Sequence, residues 1–136
     1  MQIKSILVPA DFSSTSGAAL DLAWELASQL HASLTVLHVS GAASDQEGEA
    51  LMTAEREAHA KLERYLEPRG VPSFEVALAA CPGEPKKAIV AWAHAHAVDL
   101  IVMGTHSRSG LERFIMGSVA ESVLRNAPCP VPVTRA

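Results

Sequence analysis

The sequence is poor in aromatic residues and in cysteine. Phe, Trp and Tyr make up 4% of the 136 residues, so the core must be built mainly from Val, Ile, Leu and Ala. That composition is typical of a parallel sheet covered by Ala-rich helices. The two cysteines, Cys81 and Cys129, form no Cys-x2-Cys pair, which leaves a zinc ribbon or a redox motif without support.

Basic clusters and long apolar runs are missing as well. The formal net charge is -4, and no group of Lys and Arg residues stands out, so we expect no nucleic-acid partner. No apolar stretch is long enough to cross a bilayer, and the first apolar run is broken by Pro9 before it reaches the length of a signal-peptide core. We therefore expect no membrane partner and a cytoplasmic protein, with both thiols reduced.

Strand-like and helix-like segments alternate along the chain. Short β-rich runs predict strands, and Ala- and Leu-rich segments with helical spacing predict the helices between them. Such alternation predicts parallel strands joined by right-handed crossovers. The strands are predicted over residues 3–8, 33–39, 73–78, 99–104 and 130–134, and the helices begin near residues 13, 51, 85 and 118.

One loop carries residues suited to anion binding. The segment 104–118 combines glycines, hydroxyl side chains and two arginines immediately before a helix. Backbone N–H groups at a helix N-terminus bind anions, and glycine lets a phosphate approach the chain. Ser118 and Glu121 also fit a capping box, in which Gly117 only eases the turn. The residues alone leave both interpretations open.

Other nucleotide and catalytic motifs are lacking. The chain has no Gly-x4-Gly-Lys-Ser/Thr, no Gly-x-Gly-x2-Gly after its first strand and no Gly-x-Ser-x-Gly. His94 and His96 are two residues apart on a predicted helix and face different directions, which makes them a poor metal pair. We therefore assign no catalytic residue and leave a metal site open.

The whole chain resembles the universal stress protein family. The resemblance rests on ILVPADFS at 6–13, LTVLHVS at 34–40, DLIVMGTHSRSG at 99–110 and GSVAESVLRNAPCPV at 117–131. The nucleotide-binding branch of the family carries Gly-x2-Gly-x9-Gly-Ser/Thr. Here Gly104, Gly117 and Ser118 match that motif, and Ser107 stands at its second glycine. If that position needs a positive φ, serine costs on the order of 1 kcal/mol or more.

This resemblance implies that the ligand is an adenine nucleotide, ATP with or without Mg²⁺. Asp11 would lie near the ribose or a phosphate-bound cation, although a helix-capping role fits its chemistry equally well. Val39 would contact adenine through its backbone and Met103 would pack near the base, and ordinary core packing is the alternative for both. The full set of implied binding residues is Pro9, Ala10, Asp11, Val39, Met103, Gly104, His106, Ser107, Arg108, Gly117, Ser118 and Val119.

The alternation and the resemblance together predict one domain over residues 1–136. We expect an α/β three-layer sandwich, Rossmann-like or flavodoxin-like and similar to the adenine nucleotide alpha hydrolase fold, with a five-stranded parallel sheet of order 3-2-1-4-5. Similar proteins dimerise through the last strand, so we expect a homodimer here. The expected function is that of an ATP-binding stress sensor or regulator. The alternatives are a slow ATPase and a dimeric scaffold without a nucleotide.

Overall fold

Helices and strands alternate in the computed structural model, which describes residues 2–40, 48–105 and 117–135. The first half of the chain forms β1 Ser5–Pro9, α1 Ser14–Leu30, β2 Ser33–Val39 and α2 Glu49–Leu66, which a 3-10 turn at Glu67–Arg69 follows. The second half forms β3 Val76–Cys81, α3 Pro85–Ala95, β4 Leu100–Ile101, β5 Met103–Thr105, α4 Ser118–Asn126 and β6 Val133–Arg135.

The main sheet is parallel, as the alternation of elements predicts. Its order is β3-β2-β1-β4. In the register, Leu7 of β1 lies opposite Thr35 of β2 and Ile101 of β4. Because these strands are parallel, the carboxyl ends of β1, β2 and β3 lie at the same edge of the sheet.

The predicted five-stranded sheet is not confirmed in its detail. The strand expected over 99–104 is divided at Val102 into β4 and β5, and β5 pairs with β6 in a separate two-stranded parallel sheet. The Met103 amide donates to the Pro132 carbonyl at 3.0 Å. The Ile101 amide likewise donates to the Pro130 carbonyl at 3.1 Å, but Pro130 and Pro132 have no amide hydrogen to donate in return, so residue pairing with the last strand begins at Val133.

Alternate side chains of β1 supply two separate cores. Ile6 and Val8 are buried with residues of α1 and α2, whereas Leu7 is buried with residues of α3 and α4. Helices therefore cover both faces of the sheet, which gives the three layers expected. The helix residues buried against the first face include Ala19, Ala23 and Leu62, and those against the second include Ile89, Ala93 and Val123.

The N-termini of α1, α3 and α4 begin in different ways. Ser13 caps α1, since its hydroxyl accepts a hydrogen bond from the Ser16 amide at 3.2 Å, and Pro85 lies in the first turn of α3 as predicted. The predicted capping box at Ser118 is wrong, because Gly117 occupies the N-cap and Ser118 is the first helical residue.

Among the described helices, none has the length and apolar character that a membrane span requires.

Candidate functional site

A cleft of about 330 Å³ opens beyond the carboxyl ends of β1, β2 and β5. Every predicted binding residue within the described ranges lines it. Those residues are Pro9, Ala10, Asp11, Val39, Met103, Gly104, Gly117, Ser118 and Val119. His106, Ser107 and Arg108 lie outside the described residues.

The turn before α1 forms one wall of the cleft. The Asp11 carboxylate accepts hydrogen bonds from the amide of Ser13, at 3.0 Å, and from its hydroxyl. Partial burial acts to raise the pKa of Asp11, but these bonds and one with Ser16 outweigh it and hold the pKa below its ordinary value. Asp11 thus forms the turn before α1, but Ser13 rather than Asp11 is the cap of that helix, so the helix-capping alternative given above is wrong. The exposed Asp11 carboxylate also lines the cleft.

The first turn of α4 forms the opposite wall. The first bond within this helix runs from the Glu121 amide to the Gly117 carbonyl at 3.0 Å, so the amides of residues 118–120 precede the helical ladder. No residue in the described part of the chain accepts a hydrogen bond from them. The Gly117 amide is already used, since it donates to the Thr105 hydroxyl at 3.0 Å. Within the described residues, three helix N-terminal donors at the cleft therefore have no acceptor.

The two motif glycines have different surroundings. A Cβ on Gly104 would lie 2.2 Å from the Thr15 carbonyl oxygen, so this glycine is required by the close packing of β5 against α1. A Cβ on Gly117 would meet no described atom within 4 Å, and its φ of -62° suits any residue. Packing therefore accounts for Gly104, whereas the described residues give no packing reason for glycine at position 117.

The apolar wall of the cleft is the rim of the second core. Met103 is 6% exposed and is buried together with Leu37 and Ile89, and Val39 packs against this group. Core packing, the alternative stated for Met103 and Val39, is thus confirmed, and both side chains also border the cavity. This arrangement offers a flat heteroaromatic ring an apolar surface beside the strand ends.

Several lining residues were not predicted from the sequence. They are Ser13, Thr15, Ser16, Leu37, Pro85, Ile89, Thr105 and Ala120. Pro85 follows the carboxyl end of β3, so the rule that ligands bind at that edge of the sheet was a signal for it. The same rule was a signal for Ser13, in the turn after β1, and for Thr105, at the end of β5. The others carry no such signal, because they lie within β2 or on helices and reach the cleft through packing.

Charge at the cleft is low. Asp11 is the one charged side chain among the described lining residues. The structure gives no cluster of three or more His, Cys, Asp or Glu residues suited to a metal ion within the ranges it describes. Attraction for an anion in this part of the cleft therefore comes from main-chain amides and the positive end of α4.

A cleft at the carboxyl edge of a parallel sheet, bordered by a helix N-terminus, is the place where ligands bind in open α/β domains, and this chain is an α/β domain of that class. The profile of the universal stress protein family matches residues 2–135, and the chain belongs to that family. Universal stress protein MJ0531 of Methanocaldococcus jannaschii is 35% identical over 142 residues, which cover 97% of this chain and 82% of that protein.

Solved structures show the same fold. The structure of the hypothetical protein MJ0577 matches with a TM-score of 0.79 at 29% identity and covers 100% of this chain and 98% of its own. A universal stress protein from Archaeoglobus fulgidus, solved in complex with dAMP, matches with a TM-score of 0.68 at 24% identity and covers 98% of both chains.

Proposed function

We propose that the cleft binds an adenine nucleotide, ATP in the first instance, and that occupancy of the cleft regulates a stress response. The observation that carries this proposal is the meeting of three α4 amides, an apolar wall and the predicted binding residues in one cavity. At about 330 Å³ the cavity lies within the size range of small-molecule sites.

The phosphates belong at the α4 end of the cleft. The amides of Ser118, Val119 and Ala120 stand at the positive end of the helix and have no described acceptor, which suits a ligand that brings its own anionic oxygens. Asp11 on the opposite wall would repel a phosphate, so its exposed carboxylate fits a ribose hydroxyl better. Arg108 in segment 106–116 remains a predicted phosphate contact.

The base belongs at the apolar end. Val39, Ile89 and Met103 border the cavity there and supply contact area without charge. The dAMP complex of the A. fulgidus relative suggests which ligand class to test, but at 24% identity that likeness concerns the fold. ATP, AMP and adenosine are therefore compared, because their affinities separate the contribution of the base from that of the phosphates.

Calorimetry with and without Mg²⁺ tests the proposal. We expect ATP to bind below millimolar concentration and adenosine to bind more weakly than ATP. A Ser118→Pro variant removes one N–H at the first helical position, where proline is tolerated. It should weaken the binding of ATP more than the binding of adenosine. Asn126→Ala, at the far end of α4, is the control, since its side chain donates a hydrogen bond to the Ser122 carbonyl, at 2.8 Å, within its own helix.

The same experiment identifies the alternatives. If no heat is detected up to millimolar ATP with Mg²⁺, the proposal fails and a dimeric scaffold becomes the leading function. Phosphate release that is lost in Asp11→Ala would indicate a slow ATPase.

Three expectations from the sequence remain predictions: a homodimer through β6, a single domain over residues 1–136 and a cytoplasmic location. Light scattering that shows a monomer at micromolar concentration would count against the dimer.

A further inference from the structure

The turn that carries Asp11 holds a bulky residue in a left-handed conformation. Phe12 has a φ of 67°, a region that phenylalanine rarely adopts and that costs free energy. A conformation of this kind persists only where the surrounding contacts hold it in place. The contacts that hold Phe12 therefore also determine where its neighbour Asp11 points.

The Phe12 ring is held by side chains of two other elements. His38 of β2 lies 4.8 Å from it, centroid to centroid, and Tyr65 of α2 meets it edge-on at 5.4 Å. The Lys61 ammonium group of α2 stands 4.3 Å from the ring centroid. These distances are those of favourable aromatic and cation–π contacts. The ring is thus fixed from outside the turn.

The Tyr65 hydroxyl ties α2 to the backbone on the far side of Phe12. It donates to the Ser13 carbonyl at 3.1 Å and lies 3.2 Å from the Ser16 hydroxyl oxygen. That Ser16 oxygen in turn accepts a hydrogen bond from the Asp11 amide at 3.3 Å. One tyrosine therefore contacts the ring of Phe12 and the polar groups that flank it.

We propose that Phe12 and Tyr65 are positioning residues that present the Asp11 carboxylate to the cleft. Tyr65 does not line the cavity and acts through the turn alone. The inference rests on the proposed function for its ligand, but the ordering of the turn can be measured without one. The proposal gives α2 a role in the site, although no residue of α2 is among the described lining residues of the cleft.

Amide hydrogen exchange in the ligand-free protein tests the turn. Tyr65→Phe removes the hydroxyl and keeps the ring on Phe12. The amides of Ser13 and Ser16, which donate to Asp11 at 3.0 Å and to the Ser13 hydroxyl at 3.2 Å, should exchange roughly threefold faster or more. Ser33→Ala is the control, since it removes a similar hydroxyl–carbonyl bond, 3.1 Å to Lys4, at the other end of the sheet.

ATP affinity then tests whether the effect passes through Asp11. We expect Tyr65→Phe to raise the Kd roughly threefold to tenfold, the change that one neutral hydrogen bond corresponds to. In an Asp11→Ala background the same substitution should leave the Kd unchanged, because the group being positioned is gone. A general loss of stability would weaken binding equally in both backgrounds.

Phe12→Gly separates the ring from the strain, because glycine accepts a positive φ freely. It should lower ATP affinity even though it relieves the backbone. Normal affinity in Phe12→Gly, unchanged exchange in Tyr65→Phe, or an equal Tyr65 effect with and without Asp11 would each overturn the inference. If the wild type binds no ATP, the proposed function fails, and the exchange rates alone decide whether Tyr65 orders the turn.

Discussion

The two motif glycines offer a paired test. Substitution by alanine should lower the stability of the protein at Gly104 and its affinity for ATP at Gly117. In Gly104→Ala the new Cβ would lie 2.2 Å from the Thr15 carbonyl oxygen and 2.7 Å from both the Thr15 carbonyl carbon and its methyl carbon. Two of these atoms belong to the backbone of α1, so β5 and α1 must move apart. Overpacking of this kind costs about 2–3 kcal/mol, or a Tm lower by about 6–12 °C for a chain of this size.

Gly117→Ala should leave stability almost unchanged. Its Cβ meets no described atom within 4 Å, and the backbone at φ -62° and ψ 150° is ordinary. Alanine is a poorer N-cap than glycine, but it restricts the unfolded chain, and the two effects offset each other to within about 1 kcal/mol. The added methyl group would instead occupy space where we place a phosphate.

Thermal unfolding and ATP calorimetry on both variants complete the test. We expect Gly104→Ala to lose stability, and Gly117→Ala to keep its Tm while its ATP affinity falls about tenfold or more, a cost of about 1.4 kcal/mol. A wild-type Tm in Gly104→Ala would refute the packing explanation. Wild-type affinity in Gly117→Ala would refute the placement of phosphate beside the α4 N-terminus.

Three further predictions concern stability and reactivity. The pKa of Asp11 is lowered in the folded protein, so its ionised form stabilises the fold. This stabilisation is complete at pH values above the ordinary aspartate pKa of about 3.9 and is lost as the pH falls through the lowered pKa. The gap in urea-unfolding free energy between wild type and Asp11→Asn should therefore shrink from pH 7 to pH 3, and a constant gap would contradict this. Leu62→Ala deletes a fully buried side chain and should cost about 2–5 kcal/mol in the same assay, whereas a cost below about 1 kcal/mol would show that α2 is not part of the core. Burial raises the pKa of Cys81 and Cys129, with Glu55 and Asp99 adding to the respective shifts, so both thiols should react with iodoacetamide at pH 7 more slowly than free cysteine.

Local patterns in the sequence predict the elements of this fold well. The run at 33–39 matches β2 at both ends, and Pro85 marks the start of α3. The third strand begins at Val76 rather than at residue 73, because its pairing with β2 starts where Val76 meets Leu34. Such an offset depends on strand register, which the alternation of side chains alone does not determine.

The division of the sheet and the site required three-dimensional information. Pro132 removes one donor from the last strand, but only the observed pairing of Met103 with Val133 shows where that strand joins β5. Likewise, the motif identifies Gly104 without revealing that Thr15, distant in sequence, requires it. The left-handed Phe12 could not be foreseen, since nothing local favours that conformation for phenylalanine.

An NMR titration of the protein with ATP measures the central claim most directly. If the positive end of α4 holds the phosphates, the largest amide shift changes should fall on Ser118, Val119 and Ala120, with smaller changes at Ala10 and Val39. Adenosine should shift the last two and spare the helix start. Saturating ATP that leaves the α4 amides unmoved, or that shifts residues remote from the cleft instead, would contradict the account.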